Sequence, residues 1–190
     1  MINKRRLIIA ITGASGVIYG IRMVEVLSSI PDIEMHLIIS DSAKKTIEIE
    51  TDYKISEIER MADVLHDFRD IGSPIASGSF LTEGMVIIPC TIKTMSAIAN
   101  SYTDNLIIRA ADVCLKERRR LILVVRETPL HLGHLRTMVN LTEMGAIIFP
   151  PIPSFYHFPK TINDIIDQTV GKILDLFNIH VDLFKRWNNK

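Results

Sequence analysis

With 190 residues, the chain can form one domain that buries roughly 70% of its unfolded surface without disulfide or metal staples. Lys plus Arg and Asp plus Glu both total 22, and a net charge of zero argues against nucleic acid as a partner while suiting a surface hidden in an oligomer. No apolar run reaches the roughly 18 residues of a membrane span, and Cys90 and Cys114 give neither a disulfide framework nor metal-ligand spacing, so no membrane partner and a reducing, cytoplasmic setting are expected.

The opening MINKRRLIIAIT imitates a signal peptide, with basic residues ahead of an apolar run. That run ends in glycines and continues into IRMVEVL, where Ile21, Val24 and Leu27 recur at helical spacing. Residues 7–12 therefore read as a buried first strand and 16–29 as a helix. Between them lie Gly13, Ala14, Ser15, Gly16 and, one turn on, Gly20. A turn from strand to helix presents free N–H groups and the positive end of a helix dipole, which favours an anion. A dinucleotide fingerprint would read GxGxxG, whereas this spacing is GxxGxxxG. The extended TGxxGxxG pattern also fails, because Tyr19 stands where its last glycine belongs. Close packing of helix on strand is the competing reading of these glycines.

A second apolar strand at 35–40 ends on Ser40; Asp41 beyond it either binds a ribose or helps open the helix at 41–51. A further helix covers 56–65. The strand at 85–90 runs into CTIKT, where Thr91, Lys93 and Thr94 either bind a phosphate or ring or form an ordinary N-cap. They open a helical stretch over 92–118 with a break near Tyr102, and KERRR (116–120) reads as a solvated helix C-terminus. The strand at 121–125 delivers Arg126 and Glu127, a cation beside an acid, suited to anion binding and proton transfer. After a helix at 132–144 and a strand at 146–150, PPIPSFYHFP forms an ordered aromatic loop. Tyr156 and Lys160 there match a short-chain dehydrogenase spacing, but Pro159 removes the helical turn that pair requires. His131, His134 and His157 share no metal spacing. An amphipathic helix over 162–177 follows.

Five Ile-, Val- and Leu-rich runs that do not alternate with polar residues are strands buried on both faces. Their alternation with helices predicts an α/β, three-layer, doubly wound parallel sheet. Ligands in such sheets bind at the carboxyl ends of the strands, near the switch in strand order. Ser15, Ser40, Cys90 to Thr94, Arg126, Glu127 and Tyr156 are therefore expected on one rim.

ITGASGVIYGIR, IETD (49–52), PCTIKT (89–94), RAADVCLKERR (109–119), VRE (125–127), FYHFP (155–159) and the terminal RW (186–187) occur in that order. Together they resemble the UbiX-like flavin prenyltransferases across essentially the whole chain. SGSFLTEGMVIIPCTIKT looks closest to the branch that serves bacterial hydroxyarylic (phenolic) acid decarboxylases as their B-type component. The resemblance implies a single flavodoxin-like, Rossmann-like FMN-binding domain over 1–190, in which the C-terminal helix and tail (about 161–190) complete the site and the oligomer. It implies a homododecamer with sites between subunits and no metal. The implied reaction joins a dimethylallyl group from dimethylallyl phosphate to N5 and C6 of reduced FMN. The product, prenylated FMN, serves a partner UbiD-like aromatic acid decarboxylase.

Roles carry over residue by residue. The resemblance places Gly13, Ala14, Ser15, Ser40, Thr91, Lys93, Thr94 and Arg109 at FMN, and Lys116, Arg126, Tyr156 and Lys172 at the prenyl phosphate. It implies acid–base work for Glu127 at the departing phosphate, a proton relay through Ser15 and Glu50, and a prenyl-pocket wall at Trp187. Departures stand at Lys172, where the family typically has an arginine with a bidentate fork, and at Ile71, where some members have a tryptophan. Lys93 replaces a glycine of other branches, though the decarboxylase-associated branch shares it. Two other readings compete: a non-catalytic FMN carrier subunit, and a flavin-dependent cysteine decarboxylase, whose PxMNxxMW-type segment is missing here.

Overall fold

The structure, a computed structural model, describes residues 4–187. It divides into two compact units, 1–150 and 151–190. The first holds six parallel strands: β1 (Arg5–Ile11), β2 (Ile33–Ile39), β3 (Val64–His66), β4 (Gly84–Cys90), β5 (Arg120–Val125) and β6 (Ile147–Ile148), in the order β3-β2-β1-β4-β5-β6. Without the three-residue edge strand β3, the order is that of a flavodoxin-like sheet. Six helices accompany the strands: α1 (Val17–Ser28), α2 (Asp41–Glu50), α3 (Ile55–Arg60), α4 (Ile92–Ala99), α5 (Leu106–Lys116) and α6 (Leu132–Glu143).

The five expected strands are present, and the long helical stretch breaks where expected, into α4 and α5. One expectation is corrected. The helix expected at 56–65 ends at Arg60, and Val64–His66 pair in parallel with His36–Ile38 of β2 instead. Backbone pairing at an open sheet edge outweighs the helical pattern there.

Alternation along the strands divides the apolar side chains between two faces. Ile8, Ala10, Met85, Ile87, Leu121 and Leu123 face one core with Met95, Ile98, Leu106, Ala110 and Leu141 from α4, α5 and α6. On the other side, α1 packs on β1, β2 and β4. Gly20 makes that packing possible: a Cβ there would lie 2.4 Å from the Ile88 carbonyl oxygen. Gly16 has a different duty. It caps α1 at φ 93°, the left-handed region that side chains disfavour.

The second unit contains α7 (Ile162–Asp175), opened by a capping box in which Thr161 accepts from the Asp164 N–H and Asp164 accepts from the Thr161 N–H. The segment after α7 has neither helix nor strand up to Trp187.

Candidate functional site

The strand order switches between β1 and β4, so the crevice rule points to the carboxyl ends of those strands. β4 carries Pro89, which has no N–H to give the sheet, and the β4–β5 register shifts between Ile87 and Cys90. Thr12, almost fully buried, closes the gap. Its N–H and its hydroxyl both donate to the Pro89 carbonyl, at 3.3 and 2.7 Å, and its Oγ1 accepts from the Thr91 N–H at 2.9 Å. Thr12 thus ties the glycine turn to the start of α4. Sequence reasoning missed it; the available signal was a hydroxyl residue ending an apolar run just before the turn.

Three helices start at this edge, α1 after β1, α2 after β2 and α4 after β4. Ser40 caps α2, accepting from the Ala43 N–H at 3.1 Å, and its hydroxyl also lies 3.1 Å from that of Ser42. Asp41 is the next residue of the helix and pairs with Arg69, which favours the helix-opening reading over a ribose ligand. Thr91 caps α4, accepting from the Thr94 N–H at 3.1 Å and donating to the Thr94 hydroxyl at 3.0 Å. Lys93 is exposed in the first turn of α4, where a cation opposes the helix dipole, and it has no ion-pair partner among the described residues. An anion beside it would remove that conflict.

The glycine turn departs from expectation in one respect. The Gly16 and Val17 N–H groups, expected to face a ligand, donate to one oxygen of Glu50, at 2.8 and 3.3 Å. A carboxylate at a helix N-terminus is a favourable partner for the dipole. The arrangement also brings Glu50, from the last turn of α2, to the residue adjoining Ser15. Ser15 is exposed at the crest of the turn, Ala14 donates to the Thr12 carbonyl at 3.0 Å, and the Gly13 carbonyl faces the Thr46 hydroxyl at 3.5 Å.

At the end of β5, the Arg126 N–H donates to the Cys90 carbonyl at 3.2 Å, so Arg126 and Glu127 leave the sheet beside the start of α4. Both side chains are exposed. Glu127 accepts from the Thr128 N–H at 3.0 Å, and the Arg126 guanidinium has no ion-pair partner among the described residues. Arg109 is engaged within its own chain, donating to the Ala76 carbonyl at 3.1 Å and to Asp112 at 3.0 Å. Lys116 ends α5 next to Arg120, whose partner in β4 is the first residue, Gly84. This is the amino-terminal edge of the sheet, opposite the rim. Ile71 is exposed between β3 and the following short 3-10 turn.

Burial pushes the Cys90 thiol far up and the Cys114 thiol up to about 12, so neither is a thiolate nucleophile. Among the described residues, no cluster of His, Cys, Asp and Glu could hold a metal ion, and no helix is long and apolar enough to cross a membrane.

In the second unit, Tyr156 and Trp187 meet edge to face, with ring centroids 5.6 Å apart, and Trp187 is 72% exposed. Lys172 is exposed in the last turn of α7, where a cation suits the dipole.

The rim fits a phosphorylated flavin. Hydroxyls at Ser15, Ser40, Thr91 and Thr94, helix N-termini and the unpaired Lys93 and Arg126 supply donors and positive charge, and the flanking strand ends are apolar.

The Flavoprotein family model matches residues 1–177. Flavin prenyltransferase UbiX of Thauera aromatica is 59% identical over 182 residues, covering 96% of this chain and 93% of that protein. The crystal structure of AnUbiX in complex with FMN and dimethylallyl pyrophosphate superposes with a TM-score of 0.96 at 48% identity, covering 98% of this chain and 99% of that one. A dodecameric FMN-dependent UbiX-like decarboxylase from Escherichia coli O157:H7 matches with a TM-score of 0.94 at 43% identity, over 97% and 100% of the two chains. Near-complete coverage at these identities, on the fold and rim described above, settles the family: the chain belongs to the UbiX-like flavin prenyltransferases.

Proposed function

We propose that the chain joins the dimethylallyl group of dimethylallyl phosphate to N5 and C6 of reduced FMN, with the flavin on the β1–β4 rim and the donor phosphate held by cations. One observation carries this reading: capped helix N-termini with buried or half-buried hydroxyls converge on the switch point, directly beside the exposed Arg126 and Glu127 at the end of β5. Bound reduced FMN supplies the electron-rich N5 and C6 that accept the prenyl carbon atoms.

The chain's own residues do the rest. Gly13, Ala14, Ser15, Ser40, Thr91, Lys93 and Thr94 bind the flavin, with Arg109 nearby. Arg126 and Lys172 neutralise the donor phosphate and the Tyr156 hydroxyl donates to it; phosphate is a poor leaving group until its charge is balanced. Glu127 holds a proton at the bridging oxygen and releases it as the phosphate departs. Ser15 and Glu50 carry away the proton lost at N5, a relay favoured by the Glu50 carboxylate bonded to the residue next to Ser15. Trp187 lines the prenyl group and helps exclude water from an allylic cation.

Lys116, at the far edge of its own sheet, meets such a rim only from a second copy, which supports sites between subunits. The exposed Leu132, Leu135 and Val139 on one face of α6 favour the same assembly. We assign a homododecamer, a cytoplasmic setting, and delivery of prenylated FMN to a UbiD-like decarboxylase.

Anaerobic incubation with reduced FMN and dimethylallyl phosphate, followed by mass spectrometry of the released flavin, tests the reading. A flavin heavier by one prenyl unit is expected. Bound but unmodified FMN with either the mono- or the diphosphate donor would contradict it and favour a carrier.

A further inference from the structure

The segment after α7 has no backbone ladder to fix it, so side chains decide where Trp187 sits. Phe177 and Ile179 bury its beginning, and side-chain contacts hold the rest. Arg186 grips Asp175, the last residue of α7, through two parallel hydrogen bonds of 2.6 and 2.7 Å, spanning 11 positions of sequence. Phe184 lies against the helix at Gly171, where a Cβ would come within 2.6 Å of its ring, and the Arg186 guanidinium lies 5.2 Å from that ring's centroid. The Asp175 carboxylate also accepts from His180 Nδ1 at 3.0 Å.

Asp175 is an odd choice for its position. A carboxylate in the last turn of a helix opposes the helix dipole and weakens the helix unless a cation compensates. Arg186 is that cation, and its planar fork fixes direction as well as distance. The next residue is Trp187, the chain's single tryptophan, set edge-on to Tyr156 and left largely exposed. Lys172 lies one turn before Asp175, on the same side of α7. The carboxylate that anchors the segment is therefore next to the lysine assigned to the donor phosphate.

We propose that Asp175 and Arg186 are positioning residues for the prenyl donor: their bidentate pair straps the C-terminal segment to α7 and so fixes Trp187 against Tyr156 as a two-ring aromatic corner for the branched allylic chain. The proposal rests on the functional reading above. The pair is not among the residues assigned to the flavin, so its loss is expected to act on the donor and to leave FMN affinity alone. Removing Arg186 also frees Asp175 to turn toward Lys172 and weaken that lysine's hold on phosphate.

The test uses the full-length protein with Asp175→Asn, Arg186→Lys and the exchanged pair Asp175→Arg with Arg186→Asp. Because Trp187 is the only tryptophan, acrylamide quenching and anisotropy of its fluorescence read the strap without any turnover, and Trp187→Phe confirms the signal. Circular dichroism melting establishes that each variant is folded. Both single variants should show faster quenching and lower anisotropy, a KM for dimethylallyl phosphate raised about tenfold or more, a much smaller change in kcat, and unchanged FMN affinity. The exchanged pair should recover most of the wild-type quenching and KM. Wild-type quenching in both single variants would overturn the proposal. So would a changed signal with an unaltered donor KM. If the unmodified protein prenylates no flavin, the functional reading fails and the proposal with it, whereas a strap that holds Trp187 would still register in the quenching data.

Discussion

The residues proposed to bind the flavin and those proposed to bind the donor hold their side chains in opposite ways. At the ends of β1, β2 and β4, Thr12, Ser40, Thr91 and Thr94 are already locked by hydrogen bonds to one another and to backbone groups. Arg126, Lys172 and Trp187 stand exposed, and the two cations among them have no ion-pair partner among the described residues. Preorganised hydroxyls and helix ends suit a flat, multiply bonded flavin, whose recognition needs many donors in fixed places. Free cations suit a small phosphate that arrives, loses its bond to carbon and leaves. The rim hydroxyls are built into the fold, whereas the residues proposed for the donor sit at a strand end, a helix end and a segment outside regular structure.

The sharpest way to break this contrast is to remove a free cation. Arg126→Ala should lower kcat/KM for dimethylallyl phosphate on the order of 100-fold or more, with FMN affinity nearly unchanged; steady-state kinetics alongside flavin titration measures both. A comparable loss of FMN binding would show that the two sides are not separate. Next in size is Gly20→Ala, which drives a methyl group into the Ile88 carbonyl and should cost about 2 kcal/mol in chemical denaturation. Thr12→Val keeps the shape but leaves the half-buried Thr91 N–H without its acceptor. It should cost about 1–2 kcal/mol and weaken FMN several-fold while sparing the donor KM.

The smallest effect is one of pH. The Arg186 guanidinium, with His180, holds the Asp175 carboxyl below its ordinary range despite some opposing desolvation. A depressed carboxyl contributes stability that is fully present above its unfolded value and is lost as pH falls through the folded one. Trp187 quenching should therefore stay constant from neutral pH down through the ordinary carboxylate range and rise only below it. Asp175→Asn should already be quenched more readily at neutral pH.

Much of the rim was legible from sequence because it follows from strand order. Apolar runs located five strands, and the crevice rule placed Ser15, Ser40, Thr91, Arg126 and Glu127 at their carboxyl ends. The glycines needed the structure to separate their duties, since a turn at Gly16 and a close approach at Gly20 look alike in one dimension. Strand β3 was hidden because Val64 and Leu65 continue a helical pattern, and only the open edge of β2 converts them into a strand. Thr12 was hidden because its partner, the Pro89 carbonyl, lies 77 positions away. The Asp175–Arg186 strap escaped for the related reason that ion pairing in an irregular segment has no periodicity to reveal it.

The most direct test of the central claim is Glu127→Gln, which keeps shape and removes only the proton-bearing group. Purified variant and wild type would be loaded with reduced FMN anaerobically, titrated for flavin affinity, and mixed with dimethylallyl phosphate in a single turnover. The account predicts FMN affinity within about twofold of wild type and prenyl transfer slowed roughly 100-fold or more. Transfer at the wild-type rate would contradict it, and so would a variant that no longer binds FMN.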